Sequence, residues 1–149
     1  MTKRERQLAG ECLCGAVKYE VHGELGDVLN CHCSECRKWH GSAFRTRVPV
    51  RKVDFNWISG KENIAEYLGL PTVVKTFCKI CGSNLISYYK DNDEYIGLPL
   101  GGVEGDFSER PTKHIFVESK ASWYQITDDL PQYAGFPDDV SRIHGEKKG

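Results

Sequence analysis

The sequence predicts a mainly β domain cross-linked through metal-bound thiolates. Short segments alternate apolar and polar residues with period two, turn signals recur roughly every eight to twelve residues, and seven cysteines fall into three tight groups. Val17, Tyr19 and Val21 alternate with Lys18, Glu20 and His22, a half-buried strand closed by Gly23. Phe44, Thr46 and Val48 repeat the pattern ahead of Pro49, and Val53, Phe55 and Trp57 do so ahead of Ser59-Gly60. Thr72 to Phe77 leads into the last cysteine pair and Leu85 to Tyr89 leaves it; Glu94 to Leu98 and His114 to Val117 are further short strands. Helix is scarce. Ser34 caps a short turn through Trp39, and Glu62 to Leu68 suits either helix or strand. Gly97 to Gly105 reads as a loop; it lacks the lysine and following helix of a phosphate-cradling loop, so it carries no nucleotide role. Residues 1–9 read as a flexible segment, 10–136 as one zinc domain, and 137–149 as a polar tail.

Composition bounds the function. A chain of 149 residues is long enough to bury a core as one domain, with 40% apolar and 28% charged residues. Twenty basic against 21 acidic residues argue against a nucleic-acid partner. No apolar run reaches the ~20 residues needed to cross a bilayer, and the charged start MTKRERQLAG lacks the apolar stretch of a secretory leader. The expected location is cytoplasmic. An odd number of cysteines without an export signal argues against a disulfide framework. One local cationic run, Arg37, Lys38, Arg45, Arg47, Arg51 and Lys52, serves either a solvated strand face or an anchor for a small anionic ligand.

The cysteine groups are Cys12 and Cys14; Cys31, Cys33 and Cys36; and Cys78 and Cys81. Thiolates at such spacings are metal ligands, with zinc the default ion. Two partitions are open. In one, Cys12, Cys14, Cys78 and Cys81 close a structural site, while Cys31, Cys33 and Cys36 hold a second ion with an open corner. In the other, Cys33 and Cys36 join Cys78 and Cys81 as a zinc ribbon, which leaves three thiols unexplained. In the first, the open corner suits water or substrate, as catalytic zinc requires, unless His40 reaches back to fill it; His32, between two ligands, points away.

Four stretches resemble the glutathione-dependent formaldehyde-activating enzyme family, which includes the centromere protein V type proteins. They are Cys12 to Tyr19 (CLCGAVKY), Asn30 to Arg37 (NCHCSECR) with Gly41 following, Phe77 to Ser83 (FCKICGS), and His114 to Trp123 (HIFVESKASW). The resemblance implies an Mss4-like fold of zinc-bound β-sheets. It also implies the first partition, with the glutathione thiol meeting the second zinc. The chain has Gly101-Gly-Val-Glu-Gly-Asp106 where family members carry a Gly-x-Leu-Asp type segment, a departure that bears on substrate choice.

The function that follows is a zinc-dependent carbon–sulfur lyase acting on a glutathione–aldehyde adduct. Its alternative is a non-enzymatic zinc module that binds a protein partner. Arg37 is the first candidate to anchor a glutathione carboxylate, or else supports the thiolates; Arg45 and Arg47 come next. Trp39 and Phe44 wall the pocket or fill the core. His114 relays a proton or is a hydrogen-bonded structural histidine.

Overall fold

A computed structural model describes residues 6–69 and 72–137. The expectations for residues 1–5 and for the tail from 138 to 149 lie outside the described residues. The chain runs through β1 (Arg6–Glu11), β2 (Lys18–His22), β3 (Val28–Cys31), α1 (Ser34–His40), β4 (Arg45–Arg51), β5 (Phe55–Ser59) and β6 (Ile64–Leu68). It continues through β7 (Val73–Cys78), β8 (Asn84–Tyr89), β9 (Asn92–Pro99), β10 (Val103–Glu104) and β11 (Pro111–Ile115). Two sheets result, a four-stranded one in the order β10-β1-β2-β5 and a seven-stranded one in the order β11-β3-β4-β9-β8-β7-β6. Neighbours are antiparallel except for β11 against β3.

Period-two patterning makes β2 a half-buried strand: Tyr19 and Val21 are buried, and Lys18 is exposed. They meet Val48, Val50, Leu85, Ile96 and Leu98 in the main core. Tyr19 stacks on Phe55 with ring centroids 5.5 Å apart, adding aromatic contact to the area it buries. A smaller cluster gathers Leu29, Cys31, Cys36 and Ile115. It lies beneath the cavity described below.

Several elements differ from the sequence reading. β1 begins at Arg6, so the boundary expected at residue 10 falls inside a strand paired with β2 and β10. Lys61–Asn63 forms one 3-10 turn and Ile64–Leu68 a strand, which resolves the ambiguous Glu62 to Leu68 segment. The expected loop over 97–105 is ladder as far as Pro99, then a 3-10 turn at Leu100–Gly102 and β10. The proline ends its strand, where a missing N–H costs least. Helix α1 is capped by the sulfur of Cys33, which accepts from the Cys36 N–H at 3.3 Å, and not by Ser34. Gly41 ends it in a left-handed conformation.

Gly60 sits at φ 81 against the backbone of Ala16, where a side chain would overlap the Ala16 carbonyl. A Gly60→Ala variant is expected to lose at least about 2 kcal/mol of stability, combining left-handed strain with that clash, as measured by urea unfolding.

Candidate metal centres and cavity

The two turns at the ends of β1 and β7 bring Cys12, Cys14, Cys78 and Cys81 together, with all four sulfurs within 4.8 Å of one another. Two of the separations are 3.7 Å (Cys12–Cys14) and 3.9 Å (Cys14–Cys78). A tetrahedron with ~2.3 Å metal–sulfur bonds has edges of about 3.8 Å, so this donor set fits a tetrahedral soft cation. Ser83 ties the turns together: it accepts from the Leu13 N–H at 2.7 Å and lies 3.3 Å from the Cys81 sulfur. That contact holds the Cys81 thiol down to about 5.

The second group is Cys31, Cys33 and Cys36, from the end of β3, the cap of α1 and its first turn. The thiols of Cys31 and Cys33 hydrogen-bond to Cys36 and hold it well below the ordinary cysteine range; the Arg45 and Arg47 guanidiniums add to this, and burial opposes it. The sulfurs therefore assemble as four plus three, and the ribbon pairing of Cys33 and Cys36 with Cys78 and Cys81 does not form. Among the described residues the trio gathers no fourth His, Asp, Glu or Cys donor. His40 points elsewhere, its Nδ1 accepting from Asn84 Nδ2 at 3.1 Å.

The trio lines a cavity of about 360 Å³ together with Trp39, Arg45, Arg47 and Lys75. Register explains the placement. Cys31 pairs with Arg45 and Leu29 with Arg47, so sulfur and guanidiniums share one face of adjacent strands. The other face of β4 carries Val48 and Val50 into the main core, leaving Arg45 and Arg47 buried instead of on a solvated face. Gly97 on β9 makes room for both: a Cβ there would lie 3.3 Å from an Arg45 guanidinium nitrogen and 3.5 Å from one of Arg47. Arg45 Nη2 donates to the Gly97 carbonyl at 3.0 Å, and its guanidinium lies 5.0 Å from the Trp39 ring centroid. Burial pushes the Arg45 guanidinium down to about 10. Lys75, also buried, lies 5.7 Å from the same ring and donates to Glu35 at 2.7 Å.

Arg37 does not line this cavity; its Nε donates to the Ser119 carbonyl at 3.1 Å. Trp39 does line it. Phe44 instead packs on His32 and Tyr124, with centroids 4.9 and 5.6 Å away. His114 is structural in its contacts: its Nε2–H donates to Asp128 at 3.1 Å, so its Nδ1 accepts from His32 Nε2 at 2.8 Å. This chain, with both imidazoles buried, pins β11 against the backbone between Cys31 and Cys33.

Sequence reasoning missed Lys75, Phe116 and Phe136, which also line the cavity. Lys75 faces it because it pairs with Ser87, and Ser87 with Gly97, along one row of the sheet. Phe116 has φ 58 and ψ 40, the one non-glycine positive φ among the described residues. Such a conformation costs a bulky side chain on the order of 1–3 kcal/mol. Ile115, its neighbour, pairs with Cys31 and shares its face, so an unbroken strand would turn Phe116 away from the cavity. No local sequence signal marks it.

Fold and site together define a two-sheet β protein with two cysteine clusters able to hold metal ions, one of which opens on a cationic cavity. The family model for the glutathione-dependent formaldehyde-activating enzyme matches residues 7–119. The chain belongs to that family. It is 28% identical over 141 residues, 89% of this chain and 90% of the relative, to a protein of Halomonas elongata carrying the same family description. It is 32% identical over 80 residues to an uncharacterised lyase of Schizosaccharomyces pombe, a match that spans 54% of this chain and 56% of that one. A crystal structure of a Rhodobacter sphaeroides protein superimposes with a TM-score of 0.56 at 31% identity, covering 68% of this chain and 92% of that one. Among the described residues no helix is long and apolar enough to cross a membrane.

Burial first, and the Arg45 guanidinium second, hold His40 down to about 4. The unfolded imidazole takes its proton near 6.5 and the folded one only near 4, so the folded state binds fewer protons between those values. Stability is expected to fall as pH drops from 6.5 toward 4, and His40→Gln to make that fall shallower in urea unfolding followed against pH.

Proposed function

We propose that the protein is a zinc-dependent carbon–sulfur lyase that forms and cleaves the adduct between glutathione and an aldehyde. The observation that carries this reading is the cysteine trio opening on a cavity whose buried cations, Arg45 and Arg47, stand beside the sulfurs. Membership in a family described by glutathione and formaldehyde supports it, as does a lyase among the relatives. Both thiolate donor sets suit zinc. A zinc ion held by Cys31, Cys33 and Cys36 would supply thiol deprotonation and Lewis acidity, while Cys12, Cys14, Cys78 and Cys81 would hold a structural ion.

The chain's own residues bind and orient. Glutathione carries two carboxylates, and Arg45 and Arg47 offer planar, fixed donors for one of them. Gly97 leaves those donors space, and Trp39 fixes the Arg45 plane. Lys75, farther across the sheet on β7, is assigned the second carboxylate, which would replace Glu35 as its partner. Arg37, bound to the Ser119 carbonyl, is assigned a supporting role beside the thiolates instead of substrate contact. The reaction is redox-neutral: the thiol sulfur bonds to the carbonyl carbon, the C=O π bond opens, and the thiol proton ends on oxygen. Reversal expels the aldehyde. Holding sulfur and carbonyl together supplies much of the acceleration. Seven unpaired thiols suit a reducing compartment, in keeping with a cytoplasmic enzyme.

Metal analysis of protein purified without chelator is expected to give two zinc ions per chain. Replacing Cys31, Cys33 and Cys36 together with Ser removes one, with less loss of stability than replacing Cys78 and Cys81. The reverse order of stabilities would contradict the assignment of roles.

Exchange NMR on glutathione and formaldehyde tests the activity directly. The wild type is expected to accelerate adduct exchange, and the triple Cys→Ser variant to lose about 100-fold or more. Arg45→Gln and Gly97→Ala should each raise the glutathione KM by about tenfold, the second by displacing guanidiniums without removing charge. An unaccelerated wild type sinks the lyase reading.

A further inference from the structure

Sheet order sets which side of the sulfur trio each kind of group occupies. β3, which ends in Cys31, lies between β4, with Arg45 and Arg47, and β11, at whose end Phe116 follows. Strands sit ~4.8 Å apart and Ile115 pairs with Cys31, so Phe116 follows about one spacing from that cysteine, on the side away from the guanidiniums. A thiol whose carboxylates are held over β4 and beyond it toward β7 therefore turns its sulfur substituent toward β11.

That side carries an aromatic pair, next to Glu118 and Ser119 of the turn that follows Phe116. Phe116 and Phe136 meet edge to face, with centroids 4.8 Å apart and planes at 84°, and both pack on the cluster that holds Cys31 and Cys36. Phe136 is delivered by a segment laid along β11: the His114 N–H donates to the Pro131 carbonyl at 2.9 Å, and the Tyr133 N–H to the His114 carbonyl at 2.9 Å. Phe116 reaches the cavity through its left-handed backbone. Formaldehyde adds one carbon and one oxygen to the sulfur, too little apolar surface to cover such a pair of rings.

We infer that the cavity takes thiol adducts whose sulfur carries an apolar, ring-sized substituent, so that the aldehyde partner is an arylalkyl or similarly apolar aldehyde. This assignment of substrate class rests on the lyase reading. Addition of the thiol S–H across such an aldehyde needs no further reactant: the C–S bond forms and the proton goes to oxygen.

Calorimetric titration of the metal-loaded full chain with S-methylglutathione and S-benzylglutathione tests the ligand class without requiring turnover. S-benzylglutathione is expected to bind at least about tenfold more tightly. Phe136→Ala and Phe116→Gly should each bring that ratio down to within about threefold of unity. Phe136 lies outside both sheets, so its variant keeps the test open if Phe116→Gly misfolds. Equal binding of the two ligands, or a ratio untouched by either variant, overturns the inference. Formaldehyde exchange accelerated without a benzyl preference removes the substrate class and leaves the lyase. A benzyl preference lost in Phe136→Ala, with no aldehyde accelerated, supports the ligand class and removes the lyase.

Discussion

Two guanidiniums buried in a central strand require negative charge beside them, and the sulfur trio is where this structure provides it. Charge taken out of water is tolerated only when it meets an opposite charge and finds hydrogen-bond partners. Arg45 and Arg47 add to the Cys31 and Cys33 hydrogen bonds that lower the Cys36 pKa, and the Cys36 thiolate in turn opposes the burial that draws the Arg45 guanidinium down. The register pair Cys31–Arg45 makes the match local, and Gly97 makes it sterically possible. On the proposed function, the same groups meet a ligand that brings its own carboxylate and thiol.

The second sulfur cluster explains why the first can stay open. Cys12, Cys14, Cys78 and Cys81 bring a turn of the smaller sheet against a turn of the larger one, so an ion held there would cross-link the sheets away from the cavity. On the proposed assignment, the trio is spared that structural duty. Its three sulfurs come from one short stretch, a strand end followed by a helix cap, and that stretch is braced from behind. The His32–His114–Asp128 chain fixes its backbone to β11 on the side away from the cavity.

Much of this was legible in the sequence where the signal is local. The alternation of Val17, Tyr19 and Val21, the strands around Cys78 and Cys81, and the clustering of seven cysteines each rest on spacings within a few residues. The four-plus-three division also followed from the family resemblance, whereas spacing alone left the ribbon open. Arg45 and Arg47 were harder, because a cation on a strand looks solvent-facing until its neighbours show that both faces are covered. Lys75 and Phe136 come from segments far from the trio and meet it only through sheet order and chain return. Phe116 needed a backbone conformation that its sequence does not advertise. Cys33 caps its helix with a sulfur, a role that Ser34 next door resembles more closely by type.

The composition of the cavity also bears on how selectivity is divided. Formaldehyde offers almost no surface, so a site devoted to it must discriminate through the thiol alone. A larger aldehyde can be gripped at both ends, and apolar contact remote from the reacting carbon can be used to hold that carbon against the sulfur. Phe116 is held at φ 58 when an extended residue would relieve its strain. Strain of that kind persists only where the surrounding structure enforces it. Here the enforcing elements are the strap that delivers Phe136 and the 3-10 turn that follows Phe116. Their common result is an aromatic pair beside the trio, across β3 from Arg45 and Arg47.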